Sequence, residues 1–281
     1  MKTIAFLLLV SIFHHSLFSQ EKIFQSDKLE KKWETHKTLE TPESVLYDPV
    51  LKILFVSNIN GKPTDKDGNG YISIVNLDGQ ITDQKWMTGL NAPKGMGIFK
   101  GTLYVTDIDR VAAIDIINRE IKKFYEVPEA KFLNDIAIDQ NGAVYISDMN
   151  STRIYRIYND NIELWLDQAL LTNPNGLFVE NDKLMIGCNK IVLADIQNKE
   201  TMTWLEGTGG IDGLEGTGDG RYLFSDWSGN VYLVGTDKKI EKILDTTGAG
   251  INAADIEFIP EKRLLLVPTF GDNRVMAYEI K

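Results

Sequence analysis

The chain has only one cysteine, Cys188, and three histidines among its 281 residues. One cysteine excludes an internal disulfide, and its place in the apolar run KLMIGCN is typical of a small buried side chain. His14 and His15 precede residue 20, so His36 alone remains in the rest of the chain. A serine–histidine–aspartate triad or a histidine-ligated zinc site is therefore disfavoured.

Long apolar runs are also lacking, except at the start of the chain. There, the apolar run TIAFLLLVSIF follows the amino-terminal methionine and Lys2 and leads to Ser19, which predicts a secretory signal peptide at residues 1–19. We therefore expect an exported chain, periplasmic or extracellular, without a membrane span. Loss of Lys2 with this segment would change the formal net charge from −10 to −11. Such acidity disfavours binding to nucleic acid or anionic membranes and leaves a small-molecule substrate as the expected partner.

What the chain does contain is a repeat. Each copy has a short apolar strand, a polar turn and a second β-rich strand. The six segments are PESVLYDPVLKILFVSN, PKGMGIFKGTLYVTD, LNDIAIDQNGAVYISD, PNGLFVENDKLMIGCN, IDGLEGTGDGRYLFSD and AADIEFIPEKRLLLVPT. A third strand follows each segment, and a fourth, often aromatic, follows the first five. Four strands at a period of about forty residues are typical of β-propeller blades.

The sixth repeat ends after its third strand, so the ring needs a strand from elsewhere. LEKKWETHKTLETPE, near the N-terminus, aligns with a fourth strand and can complete that blade, which would remove an exposed sheet edge. The sequence thus predicts one all-β domain at residues 20–281, a six-bladed β-propeller with four-stranded blades. Four tryptophans are expected in outer strands as packing residues: Trp33, Trp86, Trp165 and Trp204.

The first residues of the innermost strands, aligned across the six repeats, form a column in which four of the six side chains carry oxygen donors. It reads Glu43, Lys94, Asn134, Asn175, Asp212 and Ala254. Strand starts in a propeller face one end of the central channel, so these residues are expected to form a ring. Two carboxylates and two amides are ligands for a hard cation, Ca²⁺ before Mg²⁺ or Mn²⁺, with Zn²⁺ a further alternative. Taken singly, each residue is also a common turn cap, and Gly176 is expected to let the chain bend there.

With these residues in register, the chain resembles the gluconolactonase, regucalcin and luciferin-regenerating-enzyme family. Diisopropylfluorophosphatase and paraoxonase are more distant relatives. The resemblance extends from about residue 30 to the end and is carried by Glu43 in PESVLYD, Asn134 in LNDIAID, Asn175 in PNGLFV and Asp212 in DGLEG. It implies a six-bladed propeller that holds Ca²⁺ on these four residues and hydrolyses a lactone or a related ester or phosphoester. The ion would polarise the carbonyl and activate water, with Asp212 as base or nucleophile.

Two positions depart from that family. Sugar-lactone members are similar in carrying an arginine two residues before the first asparagine, where this chain has Phe132, which puts a sugar-acid lactone in doubt. Lys94 stands in the column itself. Its amine could hold a substrate carboxylate or phosphate, stabilise an oxyanion, or pair with Glu43 or Asp212 and replace the metal.

Further positions supply secondary candidates. Three residues beyond Asp212 and Ala254 stand Glu215 and Glu257, which could share a proton or bind a second cation; the phosphatase relatives imply the latter. Trp227 in SDWSGN is a candidate wall for an apolar substrate group. The second strands end in Asn58, Asp107, Asp148, Asn189 and Asp226, a regularity that indicates turn caps. The loop TDKDGNG resembles half of a calcium loop but is better explained as a polar hairpin.

The first functional hypothesis is an exported Ca²⁺-dependent hydrolase of lactone or ester type. The alternative is a non-catalytic propeller that binds a ligand or a protein, in which Lys94 disables the metal chemistry. A third possibility, a metal-free propeller similar to strictosidine synthase with a glutamate in the channel, is disfavoured by the complete four-ligand set.

Overall fold

The computed structural model describes residues 23–281, and the predicted signal peptide at residues 1–19 lies outside this range. The described residues form antiparallel sheets, with three short 3-10 helices at Thr247–Ala249, Pro260–Lys262 and Phe270–Asp272. No helix in residues 23–281 has the length and apolar character needed to cross a membrane.

The sheets follow one another along the chain as six blades. Two strands come first: β1 (Phe24–Gln25) and β2 (Leu29–Glu34). Blade 1 contains β3 (Pro42–Asp48), β4 (Ile53–Asn58), β5 (Gly70–Val75) and β6 (Ile81–Leu90). Blade 2 contains β7 (Pro93–Phe99), β8 (Thr102–Asp107), β9 (Arg110–Asp115) and β10 (Glu120–Glu126). Blade 3 contains β11 (Leu133–Ile138), β12 (Val144–Asp148), β13 (Arg153–Tyr158) and β14 (Asn161–Asp167).

The second half of the chain repeats this plan. Blade 4 contains β15 (Leu177–Glu180), β16 (Lys183–Gly187), β17 (Ile191–Asp195) and β18 (Thr201–Leu205). Blade 5 contains β19 (Leu214–Gly216), β20 (Tyr222–Asp226), β21 (Asn230–Val234) and β22 (Ile240–Asp245). Blade 6 contains β23 (Glu257–Ile259), β24 (Leu264–Pro268) and β25 (Val275–Ile280). The predicted six-bladed, four-stranded propeller is confirmed.

The N-terminal segment closes the ring, as the repeat alignment predicts. β2 pairs antiparallel with β25, so that Leu29 lies opposite Ile280 and Glu34 opposite Met276. β1 was not predicted; it adds a fifth strand to blade 5, where Phe24 lies opposite Asp245 of β22. Both pairings cover backbone groups that would otherwise form an exposed sheet edge.

The hydrophobic core is divided among the interfaces between neighbouring blades. Between blades 1 and 2, for example, Phe55 and Ile72 pack with Leu103 and Ile114. Each of the other five interfaces has a comparable buried cluster. Alternate side chains of a strand point to opposite sheet faces, so each four-stranded blade contributes apolar residues to two interfaces. This packing holds the innermost strands in a closed ring around the channel.

The predicted role of the outer-strand tryptophans is also confirmed. Trp86 lies in β6 with its ring centroid 4.9 Å from that of Phe55, and Trp165 lies in β14 at 4.9 Å from Tyr145. Trp204 in β18 packs edge-on to Tyr222 of the next blade. Trp33 in β2 lies against Gly79 of blade 1. These rings fill the gaps between blades far from the channel, so none lines the site.

Candidate functional site

A cavity of about 830 Å³ lies at one end of the channel. Its polar lining includes Glu43, Lys94, Asn134, Asn175 and Asp212. The structure therefore brings together the five polar residues of the predicted column, whose sequence separations reach from position 43 to position 212. These five residues and Ala254 are called the mouth ring below.

The sequence predicted that the mouth-ring residues are the first residues of the innermost strands. The structure shifts each of the five polar ones by one or two positions. Glu43, Lys94 and Asn134 are second residues of their strands, whereas Asn175 and Asp212 come two residues before β15 and β19. Their backbones still bond to the second strand, since the Asn175 N–H donates to the Gly187 carbonyl at 2.8 Å and the Asp212 N–H to the Ser225 carbonyl at 2.8 Å. The pairing continues irregularly beyond these bonds, because the Gly187 N–H donates to the Gly176 carbonyl (2.8 Å) and the Ser225 N–H to the Gly213 carbonyl (3.0 Å). The regular strands begin one residue later, at Leu177 and Leu214.

Bulges direct the mouth-ring side chains into the channel. The register shifts between residues 42 and 45 in β3, between 93 and 96 in β7, and between 133 and 136 in β11. A bulge frees an amide from the ladder and turns a side chain. Serine hydroxyls of the second strands accept hydrogen bonds from these amides: Ser57 from Ser44 (3.0 Å), Ser147 from Asp135 (2.9 Å) and Ser225 from Gly213 (2.8 Å).

The sequence interpretation missed this hydroxyl column. Its signal was present, because a serine or threonine directly precedes the polar residue that ends four of the second strands, in SN, TD, SD and SD. The threonine, Thr106, uses its hydroxyl differently and donates to the Asn134 carbonyl at 2.5 Å. The hydroxyls thus belong to the scaffold that orients the mouth ring.

Three of the predicted turn caps, Asn58, Asp107 and Asp148, accept backbone hydrogen bonds in the loops before the mouth ring, whereas Asp226 caps the turn that follows it. Asp107 accepts from the backbone N–H of Asn91 (2.9 Å) and Ala92 (2.8 Å) through one oxygen. Asp148 accepts from the Phe132 N–H at 2.6 Å. Asp107 and Asp148 each fix the backbone two residues before a mouth-ring side chain, Lys94 in the first case and Asn134 in the second.

Glycines allow the innermost segments to approach each other closely. A Cβ on Gly176 would lie 2.5 Å from the Asp212 carbonyl oxygen, and one on Gly95 would lie 2.5 Å from the Asp135 Cα. Gly176 does not have a positive φ. Gly176 therefore does not require a left-handed backbone conformation; a side chain is excluded there because backbone atoms of blade 5 occupy its space.

Two mouth-ring residues are joined by a hydrogen bond. The Asn175 Nδ2 donates to Asp212 Oδ1 at 2.9 Å and lies 3.8 Å from the sulfur of Met149. The Asn134 Nδ2 donates to the same sulfur at 3.3 Å. With the nitrogen of Asn175 engaged, its Oδ1 is buried without a hydrogen-bond partner, and so is Oε2 of Glu43. Buried polar atoms normally have partners, so these two oxygens are available to accept a cation or a water molecule.

The carboxyl groups of the mouth ring are electrostatically strained without a cation. Burial raises the pKa of Asp212 to about 7, although the hydrogen bond from Asn175 opposes this. Burial, together with the nearby charge of Asp212, raises the pKa of Glu43 well above its usual range, and Lys94 opposes the shift. A cation between these groups would favour their charged forms and so lower both pKa values.

The donor set fits a hard cation. Glu43 and Asp212 supply carboxylate oxygens and Asn134 and Asn175 supply amides, which is the ligand chemistry of Ca²⁺. Residues 23–281 contain no group of three or more histidine, cysteine, aspartate or glutamate side chains arranged to hold a metal. Any cation at the mouth would therefore depend on the amide oxygens, and the unpartnered Oδ1 of Asn175 is the one most clearly available.

Lys94 is buried in the mouth ring, but it forms no direct ion pair with any other residue of the described range 23–281. Its Nζ donates to the carbonyls of Ala92 (2.9 Å) and Pro63 (3.1 Å) and lies 4.4 Å from the centre of the Phe132 ring. Burial lowers the pKa of Lys94 to about 8, and the charge of Glu43 opposes the shift. The predicted pairing of Lys94 with Glu43 or Asp212 is therefore not a salt bridge in this structure.

Four further acidic side chains lie in or next to the innermost strands of blades 3, 5 and 6. The predicted pair, Glu215 and Glu257, repel each other; burial and this repulsion raise the pKa of Glu215, and burial raises that of Glu257 to about 8. Asp135 and Asp255 were not singled out from the sequence. Asp135 accepts from the Leu177 N–H at 2.6 Å and thereby links blades 3 and 4.

Asp255 accepts from the Ser44 hydroxyl at 2.6 Å and links blades 6 and 1. These contacts give Asp135 and Asp255 a structural role between blades. Of the predicted pair, Glu257 accepts from the Tyr47 N–H at 3.2 Å, so one of its oxygens is already engaged. A second cation at Glu215 and Glu257 stays a prediction, and so does the alternative that the two carboxyl groups share a proton.

The cavity walls are largely apolar. The apolar lining residues are Ile59, Pro63, Phe132, Met149, Cys188, Ile211, Trp227 and Phe270. Trp227 is 54% exposed and packs edge-on to Phe270, with ring centroids 5.6 Å apart. Of these residues only Trp227 was predicted at the site. The others lie outside the regular strands, and Phe270 belongs to the 3-10 helix Phe270–Asp272.

The remaining sequence candidates do not contribute reactive groups. Cys188 is buried, and burial raises the pKa of its thiol to about 12, so it stays protonated. His36 is exposed and follows β2. In the TDKDGNG loop the Asn69 Nδ2 donates to Asp67 at 2.7 Å, as expected of a polar hairpin.

Comparisons with known proteins show the fold. The sequence matches no protein-family model and no curated protein. A catalytically inactive virginiamycin B lyase from Staphylococcus aureus with quinupristin is 15% identical, with a TM-score of 0.64 over 92% of this chain and 100% of that chain. A structure solved as a candidate gluconolactonase is 16% identical, with a TM-score of 0.63 over 90% of this chain and 91% of the other.

A WD40 β-propeller domain matches about as well, at 12% identity and a TM-score of 0.63 over 85% of this chain and 78% of the other. Identities at this level establish a shared propeller architecture alone. The function therefore has to be argued from the cavity and its side chains.

Proposed function

We propose that this protein is a Ca²⁺-dependent hydrolase of lactones or esters. The observation that carries the proposal is the pair of buried oxygens without partners, Glu43 Oε2 and Asn175 Oδ1, in a ring that also contains Asp212 and Asn134. Leaving such oxygens unpaired in a folded protein is costly, and a cation would satisfy both. The fold is shared with enzymes of lyase and lactonase type, which is compatible with the proposal.

The cation would supply a Lewis acid for the substrate carbonyl and lower the pKa of a water molecule. The chain's own residues orient the reaction. Asn175 holds one oxygen of Asp212, which leaves the other oxygen to accept a proton or to attack the substrate. A general base must be in its carboxylate form, and a bound cation would favour that charged form of Asp212.

The walls indicate the substrate's character. An ester or lactone head would face the polar mouth ring, and its organic part would contact Phe132, Trp227 and Phe270. A volume of about 830 Å³ is ample for a small organic molecule. A substrate with an aromatic or alkyl group therefore fits better than a polyhydroxylated sugar lactone, whose hydroxyls would find few partners on these walls.

The test uses purified protein without the leader, residues 20–281. Ca²⁺ binding is measured by calorimetry, and hydrolysis is measured on a sugar lactone, an aliphatic lactone and an aryl lactone, with and without chelator. We expect Glu43→Gln to weaken Ca²⁺ binding by about tenfold or more, because it removes a charged ligand. Glu206→Gln is the matched control, since Glu206 is exposed outside the cavity. Hydrolysis that survives chelation unchanged would refute metal dependence.

A non-catalytic binding propeller is the second candidate, favoured by the buried ammonium of Lys94 and the exposed Trp227 at the mouth. It predicts ligand binding without turnover on any ester. Export is proposed from the first 19 residues alone, and N-terminal sequencing of protein from the medium or periplasm would test it.

A further inference from the structure

Lys94 is held differently from a lysine that binds a substrate. Its side chain is only 1% exposed, and two of its donors are used by the Ala92 and Pro63 carbonyls. The face of the Phe132 ring takes the remaining side of the ammonium, at 4.4 Å. An ammonium has three N–H donors, so these contacts account for all of them. Lys94 therefore acts on the cavity through its charge rather than through a free hydrogen bond.

That charge has no direct counter-ion. Among residues 23–281 no carboxylate lies within the 4.0 Å salt-bridge distance of the Lys94 Nζ. Glu43 and Asp107 attract it from farther away, but Asp107 is itself paired with Arg110 at 2.8 Å. A buried cation without a paired anion is costly, and the fold retains it inside a ring of cation ligands.

We propose that Lys94 is a fixed positive charge that weakens divalent-cation binding to the mouth ring and leaves the occupied ring with excess positive charge. The proposal rests on the proposed function. Two carboxylates, Glu43 and Asp212, would neutralise a divalent ion, so the ammonium makes the occupied site a net cation. Such a site favours substrates that are anionic or that develop negative charge on an oxygen.

The direction in which Ca²⁺ affinity changes when Lys94 is replaced distinguishes a repelling charge from a residue that only supports the fold. A lysine that merely supported the fold would weaken Ca²⁺ binding when replaced, because the ring would lose its geometry. A repelling charge does the opposite, since its removal takes away an unfavourable interaction that is strong in a buried site. We expect Ca²⁺ affinity to rise at least about tenfold when the charge is removed.

The experiment compares Ca²⁺ binding by calorimetry in the unmodified chain, Lys94→Met and Lys94→Gln. Methionine keeps the length without charge but leaves two carbonyls unpaired, whereas the glutamine amide can still donate to one of them. Lys131→Met is the matched control: it removes the same charge beside Phe132, but from an exposed position where water and salt screen it. Thermal unfolding shows which variants are folded.

Tighter binding in either folded Lys94 variant, with Lys131→Met within about twofold of the unmodified chain, supports the inference. Equal or weaker binding overturns it and leaves the metal site intact. If only the Lys94 variants bind Ca²⁺, the inference holds and the proposed metal-dependent hydrolysis is refuted for the natural chain. If no folded protein binds Ca²⁺, both are overturned.

Discussion

The contact between Gly176 and blade 5 offers a quantitative test of how the mouth ring is built. In Gly176→Ala the new Cβ would lie 2.5 Å from the Asp212 carbonyl oxygen and 2.9 Å from the Leu214 nitrogen. Ordinary van der Waals contact begins at 3.4 Å, so the two segments must separate by about 0.9 Å. Both obstructing atoms belong to the backbone, which cannot rotate away as a side chain would.

The separation of the two segments sets the expected loss in the free energy of unfolding of Gly176→Ala. Overpacking of a buried site destabilises a protein by about 1–3 kcal/mol, and each kcal/mol lowers Tm by about 2–4 °C in a chain of this size. The same movement pulls Asn175 away from Asp212, whose hydrogen bond is 2.9 Å long. Misplacement on the order of 1 Å in a reacting constellation reduces activity by about 100-fold. We therefore expect lower Tm, weaker Ca²⁺ binding and loss of hydrolysis together.

The assay is urea and thermal unfolding combined with Ca²⁺ calorimetry. Gly210→Ala is the control, because a Cβ there meets nothing within 4 Å and Gly210 does not have a positive φ. That substitution should be neutral or should stabilise by about 0.4–1 kcal/mol through the unfolded chain. A Gly176→Ala protein as stable as the unmodified chain, with unchanged Ca²⁺ affinity, would show that the close approach of the two blades does not position the ring.

Three further predictions concern pH, ring closure and the cavity wall. In metal-free protein, burial raises the pKa of Asp212 to about 7 and that of Glu257 to about 8, whereas unfolded carboxyls titrate near about 4. The folded state thus binds more protons than the unfolded state, so Tm should fall as pH rises from about 5 to 9. Added Ca²⁺ should offset part of this fall in Tm. A Tm that does not change with pH would contradict the burial of these acids. A chain starting at residue 36 lacks β1 and β2 and should lose cooperative urea unfolding, because β25 becomes an open edge; unchanged cooperativity would count against closure by β2. Trp227→Ala should raise KM for an aryl lactone several-fold with Ca²⁺ affinity unaltered; unchanged KM would place the substrate elsewhere.

The strands, the blades and the polar column could be predicted from the sequence because propeller blades repeat a local pattern. The alternation of apolar and polar residues specifies strands, and the period of about forty residues specifies blades. The register then places Glu43, Asn134, Asn175 and Asp212 in one column. β1 escaped prediction because it is only two residues long, Phe24–Gln25, and has no periodicity to detect.

The site itself was predicted in part. The polar residues of the mouth ring recur at equivalent places in the repeat, so their convergence followed from the register. Phe132, Met149 and Phe270 come from the turns around the mouth, which differ from blade to blade, so the apolar wall could not be derived. Asp135 was overlooked because its partner, the Leu177 N–H, belongs to another blade.

The sequence by itself determined the number of blades, the strand that closes the ring and the identity of the polar residues at the mouth. These features depend on periodicity and on residue type, both of which are local. Only the tertiary structure decided the hydrogen bond between Asn175 and Asp212, the unpartnered oxygen of Glu43 and the lack of an ion pair between Lys94 and any carboxylate in residues 23–281. Those features depend on distances of a few ångströms between different blades, which the packing of the whole ring sets.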